Sequence, residues 1–519
     1  MIKPRGAVAA GHDITANAAA EILREGGNAF DAALAALFAS CVAEPVLASL
    51  GGGGFLLAHT DSGTSTLYDF FVQTPLHKPP RDGIDFYPIL ADFGTTQQEF
   101  HIGRGSMATP GAIRGIFSVH KDLCSLPLDV IVQPACTAAR EGVNLNSFQH
   151  YISDIVSPIL TSSPDALRLH ESTERPGELA QNGELVRQPD MADAFEALAR
   201  EGADLFYLGE MGRSMVDACR DNGGCLTEAD LEQYQTVRRT PLNLNYHSAN
   251  LLTNPAPSVG GTLIAFALSL LEQELLGDFQ ISSHPHLMRI AKAQQLTQQL
   301  RGEKGVDRDL DETTSREILT DSYLESYREI MRKHAGFSRG TTQISIADAE
   351  GNVASMTLSN GEGAGYVIPG TGIMMNNMLG EEDINPHGFH QWPVNRRIAS
   401  MMSPTLAFTS DGRALVTGSG GSNRIRSAIL QVLVNTIDYR MEIAEAVEEP
   451  RLHYENGVLN LESGASEKVL EQLEHEFPEH RLWPEKNLFF GGAHSVVRDQ
   501  KGNLKGQGDS RRGGVCIIA

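Results

Sequence analysis

The sequence predicts an α/β protein, and three observations carry that reading. The N-terminal part holds Ala- and Leu-rich stretches of good helix formers, Thr15 to Arg24 and Asp31 to Ala43 among them. At Thr341 the pattern changes to period-two alternation, with Gly-rich loops between short apolar runs. No internal repeat or low-complexity tract interrupts either part, so helices and strands are expected to form layers of one globular protein.

Taken in order, Asp13 to Ala43 reads as two helices broken at Gly26-Gly27-Asn28 and ending near Glu44-Pro45. Gly51 to Gly54 precedes a strand-like Phe55 to Ala58; four glycines mark either a tight turn or a wall approached closely by another segment. Asp190 to Tyr234 is helical, its last helix opened by a Thr227–Asp230 capping box. Arg238 to Pro257 reads as two short strands, followed by an apolar helix, Thr262 to Leu276. Charged helix then runs from Gln280 toward an exposed loop at Gly336 to Gly340. Beyond it come a strand from Thr341 to Ile346, a turn at Glu350-Gly351-Asn352 and a returning strand, Val353 to Leu358. Leu406 to Thr409 and Ala414 to Thr417 are further strands, and Ile425 to Tyr439 is a helix.

Composition removes several function classes. The chain has 519 residues, 41% hydrophobic, with 42 basic against 65 acidic residues and a net charge of -23. Nucleic-acid binding needs a basic footprint, which is missing. No apolar run reaches the roughly 20 residues of a membrane span, and none of roughly 7–15 residues follows Lys3 and Arg5 as a secretory h-region would. A cytoplasmic protein is therefore expected, with no membrane or nucleic-acid partner and six cysteines as reduced thiols. No HExxH or Cys/His cluster predicts a metal, and no cofactor is expected. By length alone, at about 100–200 residues each, some three domains are expected.

Amide hydrolysis requires a nucleophile, a base and an oxyanion site. No GxSxG elbow occurs, and Gly361 to Gly365 lacks the spacing of a dinucleotide loop. An N-terminal threonine is another solution, because its own α-amine, with a pKa of about 7.7–8.0, is a general base near neutrality. Such a residue must first be exposed, and Gly340-Thr341 is a suitable bond, since glycine places no Cβ beside the attacked carbonyl. Strand period separates the adjacent threonines: Thr342 shares a face with Ile344 and Ile346, Thr341 with Gln343 and Ser345. The polar face is the one expected to line a pocket.

These residues belong to a longer series. Gly26 to Ala33, Gly51 to Phe55 and Pro257 to Gly261 are followed by Thr341 to Ser345, Asp348 and Gly351 to Val353. Gly370 to Ile373, Asn376-Asn377, Met402 to Thr405, Gly418 to Gly421 and Asp509 to Arg512 complete it. In this order they resemble the γ-glutamyltranspeptidase family of N-terminal-nucleophile hydrolases. The resemblance implies a four-layer α/β/β/α sandwich, built jointly by a large subunit 1–340 and a small subunit 341–519 from one precursor, overriding the three-domain expectation. It implies Thr341 as processing and catalytic residue. Gly420 and Gly421 would form the oxyanion loop, with the register free by one residue. Ser359, or Thr357, would be the hydroxyl beside the nucleophile. Asn360, Glu381 and Ser400 fall where the family contacts the amino-acid end of the glutamyl group.

Departures bear on specificity. Phe71 stands where the family has an arginine for the substrate α-carboxylate, and phenylalanine cannot form that charge-assisted fork. Met378 replaces a glutamine, Met401 a serine, and Glu381 an aspartate. Arg104, Arg396 and Arg397 are the alternative sources of a cation. The segment Pro386 to Arg396 is short for the lid of some members. The implied function is a self-processing amidohydrolase or acyltransferase, with a small-molecule or peptide substrate and glutathione or another γ-glutamyl amide as the default. An acylase of the cephalosporin type, for acyl groups without an α-carboxylate, is the first alternative. An unprocessed binding protein is the second. A higher oligomer is left open.

Overall fold

The computed structural model describes residues 3–92, 97–274, 276–330, 341–385 and 388–519. Two antiparallel sheets lie at its centre. The first has seven strands, in the order Val515–Ile518, Gly6–Ala10, Thr342–Asp348, Val353–Ser359, Gly53–His59, Ser65–Phe70 and Val237–Arg239. The second has six: Leu504–Gln507, Ser495–Arg498, Ala414–Thr417, Thr405–Thr409, Ala249–Thr253 and Leu242–Tyr246. Both sheets combine strands from before and after residue 340, with Val8 opposite Ile346 and Thr357 opposite Phe55 in the first. Neither part could bury its strands alone, so the length-based expectation of separate domains gives way to one layered unit.

The alternation of the strand Thr342–Asp348 explains the layering. Ile344 and Ile346 pack with Ala32, Ala36 and Leu37 of the outer helix Ala29–Ala43. The opposite face turns to the second sheet: Ser345 Oγ donates to the His494 carbonyl at 2.8 Å, and Ser355 Oγ to that of Thr417 at 2.8 Å. The polar face expected to meet a pocket is thus mostly a hydrogen-bonded layer between sheets, as buried as the apolar one. Helices Val259–Leu271 and Arg424–Ile437 pack on each other and share a core with Leu406 and Val416, completing the fourth layer.

Local signals acted as read, with small shifts of boundary. The first two helices span Asp13–Arg24 and Ala29–Ala43; Asn28 caps the second, and Asp31 closes a capping box with it. Thr227 and Asp230 form the second box. The region from 237 to 253 holds three strands rather than two, because Val237–Arg239 joins the far edge of the first sheet. The apolar helix begins earlier and ends earlier than expected, at Val259 and Leu271. The four glycines prove to be sites of close approach: a Cβ on Gly52 would stand 2.3 Å from the Ser359 carbonyl oxygen, and one on Gly54 2.3 Å from that of Thr357. The loop at Gly336 to Gly340, and with it Gly340 of the expected cleavage bond, lies outside the described residues, as do Pro386 and His387. All six cysteines are free thiols.

Candidate active site

Thr341 stands at the open end of a central strand and helps wall a small cavity of 40 Å³. Its backbone is fixed from two sides. Arg512 Nη1 donates to its carbonyl oxygen at 3.1 Å, and a Cβ on Gly420 would come within 1.7 Å of that oxygen, so only glycine fits there. Arg512 is itself buried beside Asp509. Burial alone would raise the Asp509 carboxyl, but Arg451 and Arg511 outweigh it and hold it far below the usual range. Arg451 Nη1 lies 2.7 Å from Asp509 Oδ2, and Arg511 Nη2 lies 2.5 Å from Glu462 Oε2, all four side chains being buried. This network makes the floor under Thr341 stiff.

Thr342 faces the other way. Its hydroxyl donates to Glu44 Oε2 at 2.8 Å, while Thr15 donates to Oε1 at 2.8 Å. Burial raises the Glu44 carboxyl above its ordinary value. Thr342 is therefore spent on structure, and Thr341 is the threonine presented to the cavity.

Around the cavity, the implied residues sort themselves. Ser359 walls it and accepts from Gly361 N–H at 3.1 Å. Thr357 does not, because its hydroxyl donates to Gln343 Oε1 at 2.6 Å inside the sheet layer. Phe71, Glu381, Ser400 and Met401 are all in the wall, and so is Met378. Asn360 is not: it is buried, with its amide held between Gly52 and Gly363 and its Oδ1 without a partner among the described residues. Gly420 and Gly421 are also absent from the wall. Gly420 bridges to Gly492, whose N–H donates to the Gly420 carbonyl at 3.2 Å, and the loop reaches the cavity only at Ser422 and Asn423. Those residues lead into the helix Arg424–Ile437, whose first two amides, of Arg424 and Ile425, donate to the carbonyls of Gly421 and Ser422 at 3.1 and 2.9 Å, and whose dipole favours negative charge at this end. Sequence reading missed Glu44 and the role of Arg512; only Arg512 lay within a quoted motif.

The wall carries the acidic side chains Glu381, Asp383 and Asp307, the last paired with Arg301 at 2.7 Å, and among the described residues no arginine, lysine or histidine lines it. Burial first, then the charges of Glu362 and Asp383, push the Glu381 carboxyl well above its ordinary value; its Oε1 is buried and has no partner among the described residues. It is not the solvated loop carboxylate that its acidic neighbours would allow. Asp383 accepts from Ser422 Oγ at 3.1 Å. The three arginines named as alternatives stand elsewhere. Arg104 pairs with Asp85 at 3.0 Å. Arg397 bonds the Phe71 carbonyl and the Tyr234 hydroxyl, and donates to Gln235 O at 2.6 Å. Arg396 borders a neighbouring cavity. Among the described residues, no three His, Cys, Asp or Glu side chains come together as a metal-binding group.

Known proteins resemble this chain along almost its whole length. The family model for gamma-glutamyltranspeptidase matches residues 15–519. The glutathione hydrolase proenzyme of Escherichia coli (strain K12) is 30% identical, over 95% of this chain and 88% of that protein. An acylase ACY 1 proenzyme of Pseudomonas sp. (strain V22) is 31% identical, over 90% of this chain and 86% of that protein. The crystal structure of cephalosporin acylase from Bacillus halodurans has the same fold: TM-score 0.83 at 22% identity, covering 99% of this chain and 96% of that one. With the ordered motifs and the layered sandwich, these matches show that the chain belongs to the gamma-glutamyltranspeptidase family of enzymes.

Proposed function

We propose that the chain is a self-processing threonine amidohydrolase or acyltransferase that works through an acyl-enzyme. The observation that carries the reading is the cavity shared by Thr341, Ser359 and the residues Ser422 and Asn423 that lead into the helix Arg424–Ile437. In processing, Thr341 Oγ attacks the Gly340 carbonyl carbon, the peptide C–N bond breaks, and the proton passes to the new α-amine. Water then hydrolyses the ester, leaving 1–340 and 341–519 as two subunits. In turnover, the α-amine takes the Thr341 hydroxyl proton as Oγ attacks the substrate carbonyl, then gives it to the leaving amine. Backbone amides at Ser422 and Asn423 are the donors for the oxyanion, and Ser359 orients the nucleophile.

For the acyl group, the cavity favours the acylase reading over γ-glutamyl amides such as glutathione. Phe71, Met378 and Met401 supply apolar wall, and among the described residues no cation lines it to receive a substrate carboxylate. The two named relatives do not decide, since a glutathione hydrolase and an acylase are equally distant. The test is a panel of γ-glutamyl and uncharged acyl anilides given to the processed protein. Higher kcat/KM on the uncharged series is expected; the reverse order restores the γ-glutamyl reading, and an uncut, inactive chain restores the binding-protein one.

A further inference from the structure

A second cavity, of 290 Å³, adjoins the one at Thr341, and the two share Asp307, Ile384 and Ala399 as walls. Nearly every polar group facing it already has a partner. Asp307 accepts twice from Arg301 Nε, at 2.7 and 2.8 Å. Asp311 caps its own helix, accepting from Thr314 N–H at 2.7 Å. Asn385 donates to the carbonyls of Met378 and Glu381, and Arg397 is held as described above. Apart from the Asp311 carboxylate, whose charge is met only by the amides of its own helix, what remains is positive or donating. Trp392 is only 4% exposed, yet its indole Nε1–H has no acceptor among the described residues. Arg396 is exposed, with no ion pair among the described residues, and Lys78 Nζ lies 4.9 Å from the Trp392 ring centroid. Leu310, Ile384 and Ile398 provide its apolar surface.

A buried donor without an acceptor calls for a ligand that accepts, and two cations beside it set that ligand's charge. We propose that this cavity is an acyl-extension subsite, which takes the far, carboxylate-bearing end of an elongated acyl donor whose scissile amide lies at Thr341. The acyl side is favoured because Ile384 and Ala399 continue the wall made by Ser400 and Met401. The proposal rests on the acyl-transfer reading of Thr341. It places the substrate's negative charge outside the Thr341 cavity, whose described wall holds no cation to receive it.

The chain has two tryptophans, Trp392 and Trp483, so Trp483→Phe leaves Trp392 as the sole indole. Adipate, suberate and sebacate are titrated against that emission, with diols of equal length as controls. In parallel, kcat/KM is measured for ω-carboxyacyl anilides and for hexanoyl, octanoyl and decanoyl anilides of matching length. Saturable emission changes with dicarboxylates alone are expected, together with a kcat/KM ratio above ten at the best length. Arg396→Gln and Trp392→Phe should each lower that ratio at least fivefold. Equal response to diols, a ratio near one, or dicarboxylate binding without any gain in turnover would each overturn the subsite while leaving turnover at Thr341 intact. If no anilide turns over, the reading of Thr341 itself fails, and the acyl assignment with it.

Discussion

Arg512 and Thr341, 171 residues apart in sequence, meet through a 3.1 Å hydrogen bond from a buried guanidinium to the threonine's own carbonyl. The bond orients the residue without touching its hydroxyl. Gly420 closes the other side of the same carbonyl. Gly420→Ala should therefore shift Thr341 by about the overlap it creates. A misplacement of roughly 1 Å can cost about 100-fold in rate. We expect self-cleavage slowed by that order in a chain that still folds, read by denaturing electrophoresis over time beside circular dichroism. Wild-type cleavage rates in the alanine variant would show that this packing does not matter.

The two threonines should separate cleanly. Thr341→Ala is expected to stay one chain. Thr342→Ala should still cut, giving a small fragment that begins at Thr341, but should lose about 1–3 kcal/mol because Glu44 loses a buried donor. N-terminal sequencing and denaturant midpoints measure both effects. A small fragment starting at any other residue would be incompatible with the assignment.

Phe71 should govern the acyl preference. Loss of a buried charge-assisted partner commonly costs about 2–5 kcal/mol, and tenfold in affinity corresponds to roughly 1.4 kcal/mol. Wild type is thus expected to favour uncharged acyl anilides over γ-glutamyl anilides by more than about tenfold in kcat/KM. Phe71→Arg should narrow that gap and Phe71→Leu should keep it, with thermal melts confirming that both variants fold. A wild type that already prefers γ-glutamyl substrates, with no gain from the arginine, would defeat the idea.

Acid should destabilise the protein partly through His170. Burial lowers its imidazole from 6.5 to about 4. Between those values the unfolded chain takes up a proton that the folded one does not, so stability falls as pH drops through the window. The slope approaches about 1.4 kcal/mol per pH unit for one such group. His170→Leu should lose less stability than wild type between pH 6.5 and pH 5, as measured by urea midpoints. Parallel curves for the two proteins would refute the link.

The sequence by itself determined whatever depends on neighbours a few residues apart. Asn28 with Asp31 and Thr227 with Asp230 placed helix starts, and strand period put Thr341 and Thr342 on opposite faces. The ordered motifs carried the family, and with it the sandwich. Period could not tell a pocket from a second sheet, since both accept a polar face; only packing showed that Gln343 and Ser345 are enclosed between sheets. Tertiary structure alone decided that Glu44 holds Thr342 across 298 positions, that Ser422 rather than Gly420 reaches the cavity, and that Asn360 is buried outside its wall. It also left the indole of Trp392 unmatched beside a cavity. The physical reason is one of range. Capping and alternation are set by bonds within a turn or a strand, whereas a cavity is defined by segments hundreds of residues apart, whose meeting depends on how whole layers pack.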